Sequence, residues 1–267
     1  MAETTATDRA MMPNRNNAIL DRRTVEYGNA NLLKWLKPGM SVLDVGCGTG
    51  AITRGIAERV GPTGHVLGID SSDHLIDQAR QNHQQSNLQF AIADINTFDD
   101  GDQFDLVTSA RVLQWLPNPA EVLGHMKRLL KPGGILAILD YNHEKISWSP
   151  EPPASMQTFY NAFLTWRRDA GFDNAIADHL QPMMEKLGIT DVQIESQAEI
   201  SQRADADFQT RARIWSEVAE IRGPQLVRDG YITEADRLQA ITDYDNWVQH
   251  TGQSMQLYLL AVEGKVS

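Results

Sequence analysis

The sequence predicts an α/β fold, a doubly wound parallel sheet covered by helices on both faces. Three observations predict it. Short, nearly continuous apolar runs recur at 42–45, 65–69, 88–93, 104–109 and 135–139, as strands buried on both faces do. Helical spacing separates most of them, at 51–60, 75–83 and 119–130. Turn signals punctuate the alternation: Gly61-Pro62 breaks the first helix, and Lys131-Pro132-Gly133-Gly134 ends the third, which Asn118 opens with Pro119 at its first position. In such sheets ligands bind beyond the carboxyl ends of the strands, so the strand ends are where chemistry is sought.

The flanks are less regular. Residues 1–17 are polar and aperiodic, which reads as a mobile tail unless it folds over something. Residues 18–36 have helical spacing, stopped by Lys37-Pro38-Gly39. Residues 1–40 carry six basic and four acidic side chains, net +2, which leaves −13 on the remainder. A segment of that kind is either a structural cover or a lid over a polar or acidic pocket. In the second half, helices are expected at 156–168, 175–187, 207–221 and 233–250, and strands at 192–200 and 255–262. No internal repeat appears. The reading is one domain over 41–267, with helical insertions at about 142–175 and 204–250 that form a cap.

Composition narrows the function. The chain has 267 residues, 42% hydrophobic and 22% charged, with 24 Lys plus Arg against 35 Asp plus Glu, a net charge of −11. So acidic a surface is a poor platform for a nucleic-acid backbone or an anionic membrane. The single cysteine, Cys47, cannot form an internal disulfide, and no zinc-binding Cys/His spacing is present. The first 20 residues hold no apolar run of the signal-peptide kind, and no run of ~18 apolar residues spans a bilayer. A cytoplasmic globular protein with a small-molecule ligand is expected, with no nucleic-acid partner and no membrane span.

The glycine loop Gly46-Cys47-Gly48-Thr49-Gly50 follows the first strand and precedes a helix. Its glycines permit positive φ and close backbone approach, and the helix start offers free N–H donors. No Lys follows them, so it is not a P-loop. Gly46-x-Gly48-x-x-Ala51 also satisfies a dinucleotide fingerprint, and a nicotinamide cofactor stays open on this evidence. Asp44, two residues before the loop, disfavours a pyrophosphate: two unit charges ~5 Å apart at an effective dielectric of ~20 repel by roughly 3 kcal/mol. A zwitterionic amino-acid tail beside a sulfonium would be attracted instead; the alternative is a carboxylate that caps the loop itself. Asp70 ends the second strand, where a carboxylate can accept hydrogen bonds from two ribose hydroxyls. Asp94 ends the third, where it can accept from an adenine amino group with Ile95 against the ring.

In order and spacing these motifs resemble those of class I S-adenosylmethionine-dependent methyltransferases of the small-molecule branch. The resemblance runs over residues 36–141: 42–50, then Gly68-Ile69-Asp70, Ala93-Asp94-Ile95, Phe104-Asp105-Leu106-Val107 and 129–134. It implies a Rossmann-like sheet of seven strands whose last strand inserts antiparallel beside the sixth. It implies S-adenosylmethionine as cofactor, with Gly46 and Gly48 at its methionyl part, Asp70 at the ribose, and Asp94 with Ile95 at the adenine. Ala110 and Arg111 match the segment at the methyl-donor region, Arg111 toward the carboxylate, and Tyr27 lies where relatives place a lid aromatic. With Asp44, Cys47 and Ser71 these complete the expected cofactor set.

Methyl transfer asks little of the protein beyond in-line placement and exclusion of water. His143, after the fifth strand, is the candidate general base. Gln114, Trp115, Tyr141, Phe159 and Phe163 are the candidate acceptor pocket; core packing reads Trp115 equally well, and a core stripe is the default reading of the helical spacing of Phe159 and Phe163. Asp140 and Asn142 are candidates for a metal site, but residues so close on one strand are poorly placed to share an ion, and no metal is expected. The expected activity is methylation of an oxygen, nitrogen or carbon of a small molecule; an oxidoreductase, or an adenosylmethionine-binding cyclase or scaffold, is the alternative.

Overall fold

The computed structural model describes residues 5–11, 18–99, 101 and 103–267. A capping box makes the first helix, α1 (Ala6–Ala10): Thr5 Oγ1 accepts the Asp8 N–H at 3.2 Å, and Asp8 Oδ2 accepts the Thr5 N–H at 3.1 Å. The stretch read as a tail therefore holds a turn of helix, too short for periodicity to reveal; its residues 1–4 and 12–17 lie outside the described residues. The helix expected over 18–36 is divided into α2 (Ala18–Asp21), α3 (Val25–Gly28) and a 3₁₀ turn at Ala30–Lys34. Thr24 and Asn29 hold non-helical backbone (ψ 169° and 47°) at the two ends of α3.

The alternating region then follows: β1 (Ser41–Val45), α4 (Ala51–Val60), β2 (His65–Asp70), α5 (Asp73–Asn82), β3 (Leu88–Ile92), β4 (Phe104–Ala110), α6 (Pro119–Arg128) and β5 (Leu130–Tyr141). β5 starts five residues earlier than the apolar run suggests, because Pro132-Gly133-Gly134 forms an irregularity inside the strand; the pairing to β4 jumps from Leu130 to Ile135 there. After β6 (Ser147–Ser149) come α7 (Ala154–Asp169), α8 (Ile176–Lys186), β7 (Thr190–Ser196), β8 (Glu199–Gln202), α9 (Phe208–Ala212), α10 (Ile214–Ile221), α11 (Gly223–Arg228), α12 (Glu234–Asn246) with a π turn at Trp247–Thr251, β9 (Ser254–Leu257) and β10 (Leu259–Lys265).

The main sheet has seven strands in the order β3-β2-β1-β4-β5-β10-β7. The first five are mutually parallel, and β10 runs antiparallel to both β5 and β7. The expected strands at 192–200 and 255–262 are each split, because the chain leaves the main sheet and joins a second one, β6-β9-β8. Alternation of side chains cannot reveal such a change of sheet.

Three apolar clusters hold the layers together. Leu43, Val45, Val107, Ile138 and Val262 pack with α6 and α8 on one face. Val42, Val66, Leu106, Val25 and Leu32 pack with α4 and α5 on the other. Phe159, Phe163, Trp166, Trp215 and Tyr244 form the core of the helical cap over the β4 and β5 ends. Glu263 of β10 is buried and ties the N-terminal segment to the sheet: it accepts from Asn31 Nδ2 at 2.8 Å and lies 2.7 Å from the Lys34 ammonium.

At the end of β1, Asp44 is buried and accepts the Thr53 hydroxyl at 2.7 Å, which clamps the glycine loop to α4. Burial pushes its carboxyl up to about 7, with the Thr53 hydrogen bond opposing. The folded chain thus holds this proton more tightly than the unfolded chain, so the group's contribution to stability falls as pH rises through that range. Asp44→Asn keeps an acceptor for Thr53 and removes the buried charge. It is expected to raise Tm at about pH 8 by roughly 2–4 °C per kcal/mol recovered, with the gain vanishing toward about pH 4. Calorimetry across that range checks it; an equal gain at both ends would contradict a buried charge at Asp44.

Candidate functional site

One cavity of about 700 Å³ opens beyond the carboxyl ends of β1, β2, β4 and β5. Its first wall is the glycine loop and the strand ends: Val45, Gly46, Gly48, Ile69, Asp70, Ser71, Ala93, Asp94 and Ile95. Its second wall is the cap: Ala110, Arg111, Gln114, Trp115, Tyr141, His143, Phe163, Ile214, Trp215, Val218 and Arg222. Ala6, Thr7, Ala10 and Met11 of the N-terminal segment line it as well, with Leu20 and Arg23.

The first wall is mostly backbone. Gly48 has φ +55°, and a Cβ there would meet only the Leu20 Cδ1, at 3.5 Å. The position is bare because the cavity lies beside it. Gly46 has φ +71°, and a Cβ there would collide with Val112. Asp70 braces the turn: Oδ2 accepts the Gly48 N–H at 3.0 Å and Oδ1 the Ser72 N–H at 2.9 Å. Burial raises its pKa, and those N–H donors oppose the rise. Each carboxylate oxygen keeps a second lone pair for a ligand. Asp94 is exposed at the rim, where Oδ1 accepts from the Asn96 N–H at 2.9 Å, while Ile95 is buried behind it.

The second wall is aromatic and stiffened by arginines. Arg111 is buried at φ +64°, outside the usual range of a side-chain-bearing residue. Its Nε donates to Tyr141 Oη at 3.0 Å, its Nη1 to the Gly28 carbonyl at 2.6 Å, and its Nη2 to Glu199. Burial opposes its charge, but Tyr141 and Glu199 outweigh that and raise its pKa. Arg167 donates to Asn174 Oδ1 and to the Gln114 carbonyl, both at 2.8 Å. Arg222 donates to the carbonyls of Arg9, Ala10 and Met11, the end of α1. Both guanidiniums lie about 4.4–4.5 Å from the Trp115 ring centre. Burial pushes Arg167 down to about 9 and Arg222 to about 10. Asp140 accepts the Gln114 N–H at 3.1 Å and the Tyr141 N–H at 2.9 Å; burial pushes it up to about 6.

Four expected site residues stand elsewhere. Tyr27 is 84% exposed and does not line the cavity, because α3 turns Val25 into the core and sends Tyr27 outward. Asp44 and Cys47 lie behind the loop. The carboxylate of Asp44 is spent on Thr53, and Cys47 packs against Gly68, where a Cβ would stand 3.0 Å from its Sγ. Phe159 is fully buried in the cap core, one turn below Phe163, which does reach the cavity. Arg111 lines the cavity, but its guanidinium is held by the protein rather than left to face a cofactor.

The sequence reading did not single out Arg23, whose Nη2 lies 3.5 Å from Tyr141 Oη at the cavity wall. The cationic excess of residues 1–40 was its signal. It also overlooked Arg222 and the stripe Ile214, Val218 and Ile221, whose spacing of four and three marks one helix face. Among the described residues no group of three His, Cys, Asp or Glu side chains could hold a metal ion, and no helix is long and apolar enough to cross a membrane.

Comparison with known proteins agrees with this architecture. Residues 36–198 match the family profile described as a methyltransferase domain. The 2-phytyl-1,4-naphtoquinone methyltransferase of Nostoc punctiforme is 35% identical over 140 residues, covering 49% of this chain and 59% of that protein. The trans-aconitate 2-methyltransferase of Deinococcus radiodurans is 35% identical over 136 residues, covering 51% of each. The chain thus spans about half the length of these curated relatives. Among solved structures, the YcgJ protein of Bacillus subtilis superposes with a TM-score of 0.60 at 14% identity, over 90% of this chain and 98% of that one. Phosphoethanolamine N-methyltransferase 2 of Haemonchus contortus, in complex with S-adenosyl-L-methionine, superposes with a TM-score of 0.57 at 16% identity, over 100% and 58%. At such identities the structural likeness is one of fold. The profile match covers more than half of the chain and runs through the glycine loop and the strand ends, and on that ground the protein belongs to the methyltransferase domain family.

Proposed function

We propose that the protein is an S-adenosylmethionine-dependent methyltransferase acting on a small-molecule acceptor. The observation that carries this reading is the bare, positive-φ Gly48 beside the Asp70 carboxylate in one wall of a cavity whose other wall is aromatic. A Cβ at Gly48 would fill the cradle, so the chain's own residues suit an adenosyl cofactor there. Asp70 would hold the ribose hydroxyls, Ile95 and Asp94 the adenine, and Gly46, Gly48, Ser71 and Ala110 the remaining wall. Arg23 would meet the amino-acid carboxylate, which Arg111 is too committed to do. When bound, S-adenosylmethionine supplies a methyl group already activated on a sulfonium. The chain then has to position the acceptor and keep water away. Tyr141, Trp115, Phe163, Gln114 and His143 form the acceptor side. Small-molecule acceptors also suit relatives named for a naphthoquinone and for aconitate. The net charge of −11 and the single cysteine support a cytoplasmic protein without a nucleic-acid partner.

Calorimetric titration tests the reading: S-adenosylhomocysteine is expected to bind and NAD(P) not, and the reverse result would replace it with an oxidoreductase. Incubation with labelled methyl donor and a metabolite extract should yield products heavier by one methylene. A product cyclised without that gain would favour a cyclase.

Asp70→Ala is expected to weaken S-adenosylhomocysteine binding by ~1.5–3 kcal/mol, about 10- to 150-fold, and Gly48→Val by more, because a branched side chain occupies the ligand's space. Unchanged affinity in either folded variant would remove that residue from the site. Residues 5–11, held over the cavity by Arg222, act here as a lid. Removing residues 1–11 should leave a folded protein that binds cofactor more weakly, while turnover falls about tenfold further than binding. Normal turnover, with no cofactor-dependent change in hydrogen exchange at residues 5–11 of the full chain, would make the segment a structural cover.

A further inference from the structure

The acceptor side of the cavity holds two buried polar atoms without a hydrogen-bond partner among the described residues, His143 Nδ1 and Trp215 Nε1. Both residues line the cavity, 6% and 3% exposed, with ring centres 6.3 Å apart. A buried donor or acceptor without a partner costs about 1–3 kcal/mol, so each is a place where a ligand can repay a loss.

The tautomer of His143 follows from its neighbours. Gln114 Nε2 donates to the Arg111 carbonyl at 3.1 Å, which turns Gln114 Oε1 toward His143 Nε2, at 2.7 Å. A flipped amide would set two carbonyl oxygens against each other. Oε1 can only accept, so Nε2 carries the proton and Nδ1 keeps the lone pair. Gln114 is itself fixed by Asp140 at its N–H and Arg167 at its carbonyl. The imidazole is stacked on Tyr141 and edged by Phe163. Burial, and then the Arg167 charge, hold its pKa well below the ordinary range, so it is neutral. Two residues of the cavity lining thus carry unpartnered groups, an acceptor on His143 and a donor on the Trp215 indole.

We infer that the methyl acceptor is a hydroxyl on an apolar ring, held by His143 Nδ1 and Trp215 Nε1, so that the enzyme methylates oxygen. This rests on the methyl-transfer reading above. A hydroxyl has one proton and two lone pairs. It donates to Nδ1, accepts from the indole with one lone pair, and has the other left to attack. A neutral amine has a single lone pair; once it accepts from Trp215, nothing remains to attack with. The oxygen's free pair forms the C–O bond as the methyl carbon's bond to the donor sulfur breaks, its electron pair going to sulfur. The O–H proton passes to Nδ1, with its bonding pair kept on oxygen. His143 then releases that proton to water. A weak base suffices, because the proton becomes strongly acidic as the new bond forms. Arg167 and Arg222 do not call for an anionic acceptor, since their guanidiniums serve Asn174, Gln114 and the end of α1.

The test uses the full chain, ¹⁵N-labelled and saturated with S-adenosylhomocysteine, with His143→Gln and Trp215→Phe to assign the two signals. Nitrogen NMR is expected to show His143 protonated at Nε2 only, and 1-naphthol to shift both Nδ1 and the Trp215 indole resonance. 1-Naphthol should bind about tenfold tighter than 1-methoxynaphthalene, which has no proton to donate, and the ratio should fall toward one in His143→Gln. With S-adenosylmethionine, 1-naphthol should gain a methyl on oxygen, and 1-naphthylamine should react at roughly a hundredth of that rate or less. A protonated Nδ1, unmoved resonances, equal binding of the two naphthalenes, tighter binding of 1-naphthoate, or an equally fast amine would overturn the inference and leave methyl transfer standing. Failure of S-adenosylhomocysteine to bind would bring down both.

Discussion

The arrangement around the cavity depends on the buried guanidinium of Arg111. Placed at the β4 end in a left-handed backbone conformation, it reaches the tail of α3 through Gly28, the end of β5 through Tyr141, and the small sheet through Glu199. Burying a guanidinium costs several kcal/mol unless its donors are met, and hydrogen bonds to a charged group contribute about 1.5–3 kcal/mol each. The side chain is therefore stable only when three remote segments are in place together. It acts as a coincidence clamp: the N-terminal segment, the parallel sheet and the cap assemble as one unit around it.

That constraint divides the labour of the cavity. The first wall consists of backbone and strand-end carboxylates, set by the local geometry of a strand, a turn and a helix. The second is made of side chains from segments as far apart as Ala110 and Arg222. Its arginines are turned to structural ends, two of them against Trp115 and one on the α1 carbonyls. The positive charge around the cavity thus stiffens its wall, and the ligand-facing surface stays largely apolar.

The same division explains what could be read in the sequence. That Gly46, Gly48, Asp70 and Ile95 lie beside one cavity was legible because each sits at or just past a strand end, where position along the chain sets position in space. The five parallel strands were legible for the same reason, and the antiparallel placement of β10 came with the family resemblance. Asp44 was misread because its orientation depends on Thr53, nine residues on, and either of two roles fits a carboxylate there. Tyr27 was misread because the helix carrying it breaks at Thr24 and Asn29, which rotates the face presented to the cavity. Phe159 and Phe163 share a helical stripe, and only packing decides which turn meets the cavity. Arg23, Arg222 and the pairing of His143 with Trp215 arise from contacts between distant segments, which no local pattern encodes.

The position of β10 has a consequence for how the protein is made. This strand, at residues 259–265, lies between β5 and β7 in the main sheet and pairs with both, and its Glu263 also receives Asn31 and Lys34. A ribosome finishes β1 to β9 before this one. Until β10 emerges, β5 and β7 wait with open edges and an apolar face uncovered, a condition that favours chaperone capture or misassociation. The order of synthesis therefore makes completion of this sheet a long-range step, in which residues 259–265 zip between two older strands and lock down Asn31 and Lys34.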